Sequence, residues 1–132
     1  MRVAEFRAAL RAFLSHSEET SRAWELTPQR YLLLLFIKGA PDGSEQMSLK
    51  ELTERLRVSP NTVTELVARA EEAGLVRRRT APHDQRVVLL SLTGEGERRL
   101  AGALVETEEA RAELTEAFDS LVTSFRSATR NH

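Results

Sequence analysis

The sequence predicts a mainly α chain with a small β-hairpin, an α+β class. Three observations carry this: two adjacent helical runs, each opened by a capping serine, two strand-forming runs directly after them, and long apolar helical stripes at both ends. At 132 residues the chain fits one domain, with 41% hydrophobic and 30% charged residues, an ordinary globular composition.

Residues 2–22 predict a helix, with Val3, Phe6, Leu10, Phe13 and Leu14 on one stripe. In LTPQR, Thr27 can cap and Pro28 suits a first helical position. The YLLLLFI that follows is apolar on every side, which predicts a buried helix ending at Gly39 and Pro41. Residues 39–46 read as a loop. SLKELTERL has Ser48 and Glu51 in capping-box spacing, with Leu49, Leu52 and Leu56 on one face. After a break around Arg57 and Val58, Ser59 caps and Pro60 starts a helix with Val63, Leu66, Val67 and Ala70 inward, closed by Gly74. The pair is a helix-turn-helix. LVRRR and RVVLLSL then predict a hairpin whose loop is Thr80 to Gln85. Thr93 can cap a helix running to about Glu109. A last helix carries Leu114, Ala117, Phe118, Leu121, Val122 and Phe125.

Charge is uneven. The net charge is -1, but residues 47–92 hold 8 basic and 6 acidic groups, and residues 93–132 hold 5 and 8. Four of those eight basic residues sit in RRRTAPHDQR, 77–86, which suggests an anionic partner; a solvated turn is the plain alternative. A helix-turn-helix followed by a hairpin is the winged-helix arrangement, and its physics suits duplex DNA. The second helix would offer Asn61, Thr62, Thr64, Glu65, Ala68 and Arg69 to the major groove. Ser59, Pro60, Asn61 and Thr62 at its start lie where phosphates and base edges are reached. The hairpin, with Arg77, Arg78, Arg79, His83 and Arg86, would reach the backbone or minor groove. Alternate strand residues face opposite sides, so the pattern leaves open which of the three consecutive arginines touches DNA.

LTPQRYLLL, SLKELTERLRVSPNTVTELVARAEEAGLVRR, DQR and LSLTGEGERRL together resemble the MarR family of bacterial winged helix-turn-helix transcriptional regulators, over roughly residues 26–100. The resemblance implies a single domain, 1–132, with a DNA-binding lobe at 27–92 and dimerisation helices at 1–24 and 95–128. It implies a homodimer acting as a repressor on a palindromic operator, and in many members a small aromatic effector that releases DNA. In the family the wing aspartate, here Asp84, braces the wing by ion pairing, and the arginine, here Arg86, contacts DNA. Trp24 and Tyr31 fall near the family's effector pocket, though each reads equally well as a core aromatic. Glu65 departs from the family's basic or amide residue: it would repel phosphates, or accept from cytosine N4. Ala70 stands where leucine is common, so tighter packing is expected there. The last helix reads as short, which predicts a smaller or rearranged dimer interface.

The chain has no cysteine, which excludes thiolate zinc sites and cysteine nucleophiles. Its histidines, His16, His83 and His132, are scattered, so neither a metal nor a cofactor is expected. With no nucleophile–base set and no phosphate loop, it is not expected to be an enzyme. The opening residues lack a continuous apolar core, and YLLLLFI is far too short for a bilayer, which needs about 20 residues. The expected location is cytoplasmic, with no membrane partner. A winged helix used for protein–protein contact, without an effector, is the competing reading.

Overall fold

Capping chemistry sets where most helices begin. The structure, a computed structural model, describes residues 2–130. Helix α1 is Arg2–Ala23, and α2 is Pro28–Lys38. The Thr27 hydroxyl accepts from the Arg30 amide (3.2 Å) and Pro28 opens the helix. Strand β1 is Gln46–Ser48, and α3 is Leu49–Leu56, capped by Ser48, whose hydroxyl accepts from the Glu51 amide at 3.1 Å. Helix α4 is Pro60–Glu72, capped by Ser59. Between them Arg57 takes a left-handed conformation (φ 56°, ψ 39°), the residue that turns the chain from α3 into α4. Strands β2, Val76–Ala81, and β3, Asp84–Leu92, follow, then α5, Gly94–Glu106, capped by Thr93, and α6, Glu108–Arg130.

Helix α2 is the centre of the core. Leu33, Leu34 and Ile37 are fully buried and meet Leu52, Val63, Val67, Leu75, Leu90 and Leu100 from other parts of the chain. The all-round apolar run is therefore a buried helix, as its composition predicts. Ala70 is also fully buried.

The sheet differs from expectation. The predicted two-stranded hairpin is a three-stranded antiparallel sheet in the order β1-β3-β2. The extra strand lies at the end of the segment read as a loop, with Gln46, Met47 and Ser48 opposite Ser91, Leu90 and Leu89. Three residues carry no alternation of their own; pairing along β3 and burial of Met47 make them a strand. The tip is also shorter than the six residues expected. The ladder reaches Ala81–Asp84 and leaves Pro82 and His83 as the turn. The register shifts between Thr80–Val88 and Ala81–Asp84, so Gln85, Arg86 and Val87 bulge from β3.

The end helices differ too. The helix opened by Thr93 stops at Glu106 rather than near Glu109. Buried Thr107 forms the break, its hydroxyl donating to the Ala103 carbonyl (3.0 Å) and accepting from Arg111 (2.7 Å). Helix α6 is not short: its 23 residues span about 35 Å at 1.5 Å per residue. It runs along α1, with the Phe6 and Phe118 rings 5.8 Å apart and Arg2 donating to Ser120. No residue of α6 is buried. A tight approach fixes α5 instead, where a Cβ on Gly96 would overlap the Leu75 carbonyl.

A charge cluster at the start of α5 makes stability pH-dependent. Hydrogen bonds from Arg98 and Arg99 pull the Glu95 carboxyl down to about 2. Its folded value lies below its unfolded value, so its contribution is present above the unfolded value, about 4.3, and is lost as pH falls toward 2. Thermal melts of Glu95→Gln are expected to lose part of the native decline between those pH values, while both proteins respond alike above pH ~6.

Candidate nucleic-acid interface

Helix α4 buries Val63, Val67 and Ala70, packs Leu66 partly against the core, and turns its polar face outward. Ser59, Pro60, Asn61, Thr62, Thr64, Glu65 and Arg69 are all exposed, so the predicted set forms one surface. Not all of its hydroxyls are free. Ser59 Oγ accepts from the Thr62 amide (3.2 Å) and pairs with Thr62 Oγ1 (2.8 Å); Thr64 Oγ1 donates to the Pro60 carbonyl (2.9 Å). Glu65 and Arg69 have no side-chain hydrogen bond or ion pair among the described residues.

The strand register separates the three consecutive arginines. Arg78 pairs with Leu90 and so shares the core-side face with Val76 and Met47, whereas Arg77 and Arg79 point to the other face. Arg78 is held by Glu71 at the end of α4 (2.6 Å and 2.8 Å), tying the wing to the helix before it. Arg79 donates to Gln46 Oε1 on β1 (3.3 Å). Arg77 has no side-chain partner among the described residues. At the bulge, Asp84 Oδ1 accepts from the Arg86 amide (3.0 Å) and Arg86 Nε (3.3 Å). Those two bonds, the backbone one first, lower the Asp84 pKa from its ordinary value. The Arg86 side chain stays 92% exposed, so Asp84 aims it without covering it. His83 stands exposed at the tip.

Residues 24–87, from just after α1 through the wing tip, match the sequence model described as MarR family. Over these residues, just under half of its length, the chain is similar to the MarR family. Relatives include the transcriptional regulator HosA of Escherichia coli O111:H-, 39% identical over 80 residues, 61% of this chain and 56% of the relative. The organic hydroperoxide resistance transcriptional regulator of Bacillus subtilis is 34% identical over 71 residues, 54% of this chain and 46% of the relative. The chain spans about half the length of these curated relatives. Both are described as transcriptional regulators, not enzymes. Among solved structures, an E. coli MarR mutant complexed with operator DNA aligns with a TM-score of 0.69 at 20% identity, covering 92% of this chain and 89% of that one. A Streptomyces coelicolor MarR family regulator in complex with DNA aligns at 0.67 and 22%, covering 97% and 83%. At these identities the likeness shows the fold: a MarR winged helix with helices before and after it.

The other predicted site residues lie away from this surface. Tyr31 is buried in the core on α2. Trp24, half-buried, lies against α5: a Cβ on Gly102 would overlap its indole, and the Arg98 guanidinium sits 5.9 Å from the ring centroid. Trp24 is the only tryptophan. Gly102→Ala is expected to push the indole outward and shift its emission to longer wavelength, with the far-ultraviolet helical signal unchanged. No cluster of metal-ligating side chains occurs among the described residues, and His132 lies outside them. No helix of the described residues is long and apolar enough to cross a membrane.

Sequence reasoning missed Arg30. It lies on the first turn of α2 and, with Thr27, lines a cleft against Thr62, Glu65 and Arg69 of α4. TPQR read only as a helix start. Nothing local brings position 30 beside position 69.

Proposed function

We propose that this chain is a MarR-family transcriptional regulator that binds duplex DNA as a homodimer, and that it acts as a repressor on a palindromic operator from which a small aromatic effector releases it. The single observation that supports this best is the exposed face of α4 beside a wing whose Arg86 is aimed outward by Asp84. Helix α4 would enter the major groove, with Asn61, Thr62 and Arg69 near base edges or phosphates. The wing would lie over the backbone or minor groove, with the unpartnered Arg77 and the Asp84-aimed, solvent-exposed Arg86 as its contacting cations. A B. subtilis relative, 38% identical over 72 residues, 54% of this chain and 44% of the relative, is described as the transcriptional repressor MdtR, which supports the repressor reading.

Dimerisation through 1–24 and 95–128 is supported by the unburied end helices. Val3, Leu14, Phe118 and Phe125 are 45–57% exposed, an apolar seam that water disfavours on a lone chain. Arg2 lies level with Ser120, so the last turns of α6 extend beyond the described part of α1. Replacing Phe118 and Phe125 together by aspartate is expected to give monomers by light scattering, with the lobe still folded because neither ring is in its core.

An effector at the Trp24–Tyr31 junction would change the emission of the single tryptophan and raise the melting temperature. A panel of small aromatic acids and phenols tests it by both readouts. Selection from random duplexes with the purified protein tests the main reading. The expected product is a palindrome whose half-sites are about 10 base pairs apart, one helical turn. Absence of any enriched duplex, with the protein folded, overturns it.

A further inference from the structure

We propose that the cleft between the first turn of α2 and the outward face of α4 seats one phosphodiester of the DNA backbone, gripped by Arg30 and Arg69. This rests on the DNA-binding reading above. It adds a contact from outside both the helix-turn-helix and the wing.

The cleft is a concave space of about 140 Å³, and Arg30, Arg69, Thr27, Thr62 and Glu65 are among its lining residues. The two arginines come from helices far apart in sequence and converge on one hollow. Neither guanidinium has an acid or hydrogen-bond partner among the described residues. Several other arginines of the lobe and α5 are engaged: Arg78 by Glu71, Arg86 by Asp84, Arg98 and Arg99 by Glu95. Arg30 is also half-buried, its backbone fixed because the Thr27 cap accepts its amide hydrogen. A restrained guanidinium offers parallel donors that match phosphate oxygens and loses little freedom on binding. Arg69 is exposed, but two guanidinium groups lining one hollow, one of them half-buried, fit a tetrahedral oxyanion better than a base edge.

Glu65 lines the same cleft without an ion-pair partner. Two guanidinium charges against one carboxylate leave the cleft positive. Glu65 weakens the grip by like-charge repulsion and keeps the cleft from holding every polyanion equally. A DNA phosphate is the favoured occupant over a free oxyanion, because the cleft opens on the face that also carries Asn61 and Thr62.

The test compares the native protein with Arg30→Gln, Arg30→Lys and Glu65→Gln on a selected operator duplex and a scrambled one, across a salt series. Arg30→Gln is expected to weaken both duplexes about tenfold and to lower the slope of log affinity against log salt by about one. Arg30→Lys, which keeps the charge, is expected to keep the slope, and Glu65→Gln to tighten both duplexes. Melting curves establish that each variant is folded; if Arg30→Gln is not, the Arg30→Lys and Glu65→Gln results decide. Native slope and affinity in Arg30→Gln overturn the clamp, as does a loss confined to the operator, which would mark a base contact. Thermal shifts with inorganic phosphate supply the last arm. Stabilisation that needs Arg30, together with duplex binding that does not, assigns the cleft to a free oxyanion and overturns the proposal. A native protein that binds no duplex overturns the DNA reading itself, a result distinct from binding that ignores Arg30.

Discussion

Replacing Arg77 and Arg86 together by alanine is expected to cut duplex affinity by roughly 10²-fold and to flatten the salt dependence by about two units, at about 0.9 for each phosphate no longer neutralised. The cause is geometric. Of the four wing arginines, only these two present a cation that is uncommitted or held out into solvent: Arg77 has no partner among the described residues, and Arg86 is aimed by Asp84 with its side chain 92% exposed. Arg78 is committed to Glu71, and Arg79 is drawn to Gln46. Adding Arg78→Ala and Arg79→Ala is therefore expected to remove less than about a further two units of slope. Arg78→Ala alone is expected to act through the loosened link between wing and α4, lowering the melting temperature slightly. Fluorescence anisotropy on a labelled duplex between about 50 and 200 mM salt measures the slope, the range over which a handful of phosphate contacts shows itself. Equal slopes for the native protein and the Arg77/Arg86 double variant would remove the wing from the DNA interface.

Gly96→Ala is expected to destabilise the fold by about 1–3 kcal/mol, the cost of forcing extra atoms into a packed contact. The added Cβ would overlap the Leu75 carbonyl, which is backbone and cannot rotate away. Leu75 is fully buried and its carbonyl already accepts from the Thr93 amide at 3.0 Å, so shifting it disturbs the turn into the sheet and the cap of α5 together. The fall in melting temperature should be roughly 4–11 °C for a chain of this length. Gly94→Ala is the control. A Cβ there meets nothing within 4 Å, and at the first residue of α5 it should leave the melting temperature unchanged or raise it slightly. If both variants melt together, the close approach of α5 to Leu75 does not bear on stability.

The readable parts of the fold share a cause. Thr27, Ser48, Ser59 and Thr93 each accept from an amide three residues on, which needs nothing beyond a few residues of chain. The helix boundaries they set were therefore legible, as were the inward faces of α3 and α4 and the exposed residues of α4 that make up the candidate site. The errors share a cause as well. β1 is a strand only because β3 runs beside it, and the wing tip tightens only because Ala81 finds Asp84. The α5–α6 break falls at Thr107 because that hydroxyl is buried and bonded both ways. In the site, Asp84 and Arg86 are two residues apart and their pairing was readable; Arg30 and Arg69 are not neighbours in any local sense.

The order of elements, the capped helix pair, the arginine-rich turn after it and the MarR resemblance could all be read from the residues in line, because each depends on short-range hydrogen bonding, periodicity or the spacing of motifs. Which charges remain available could not, because that depends on how distant elements meet. Glu71 reaches Arg78 and Gln46 reaches Arg79 through strand register, while Arg77, Arg30 and Arg69 are left without partners among the described residues. Charge in a sequence counts residues, but whether a charge can meet an anion depends on whether the folded chain leaves it unpartnered like Arg77, ties it down like Arg78 or aims it into solvent like Arg86.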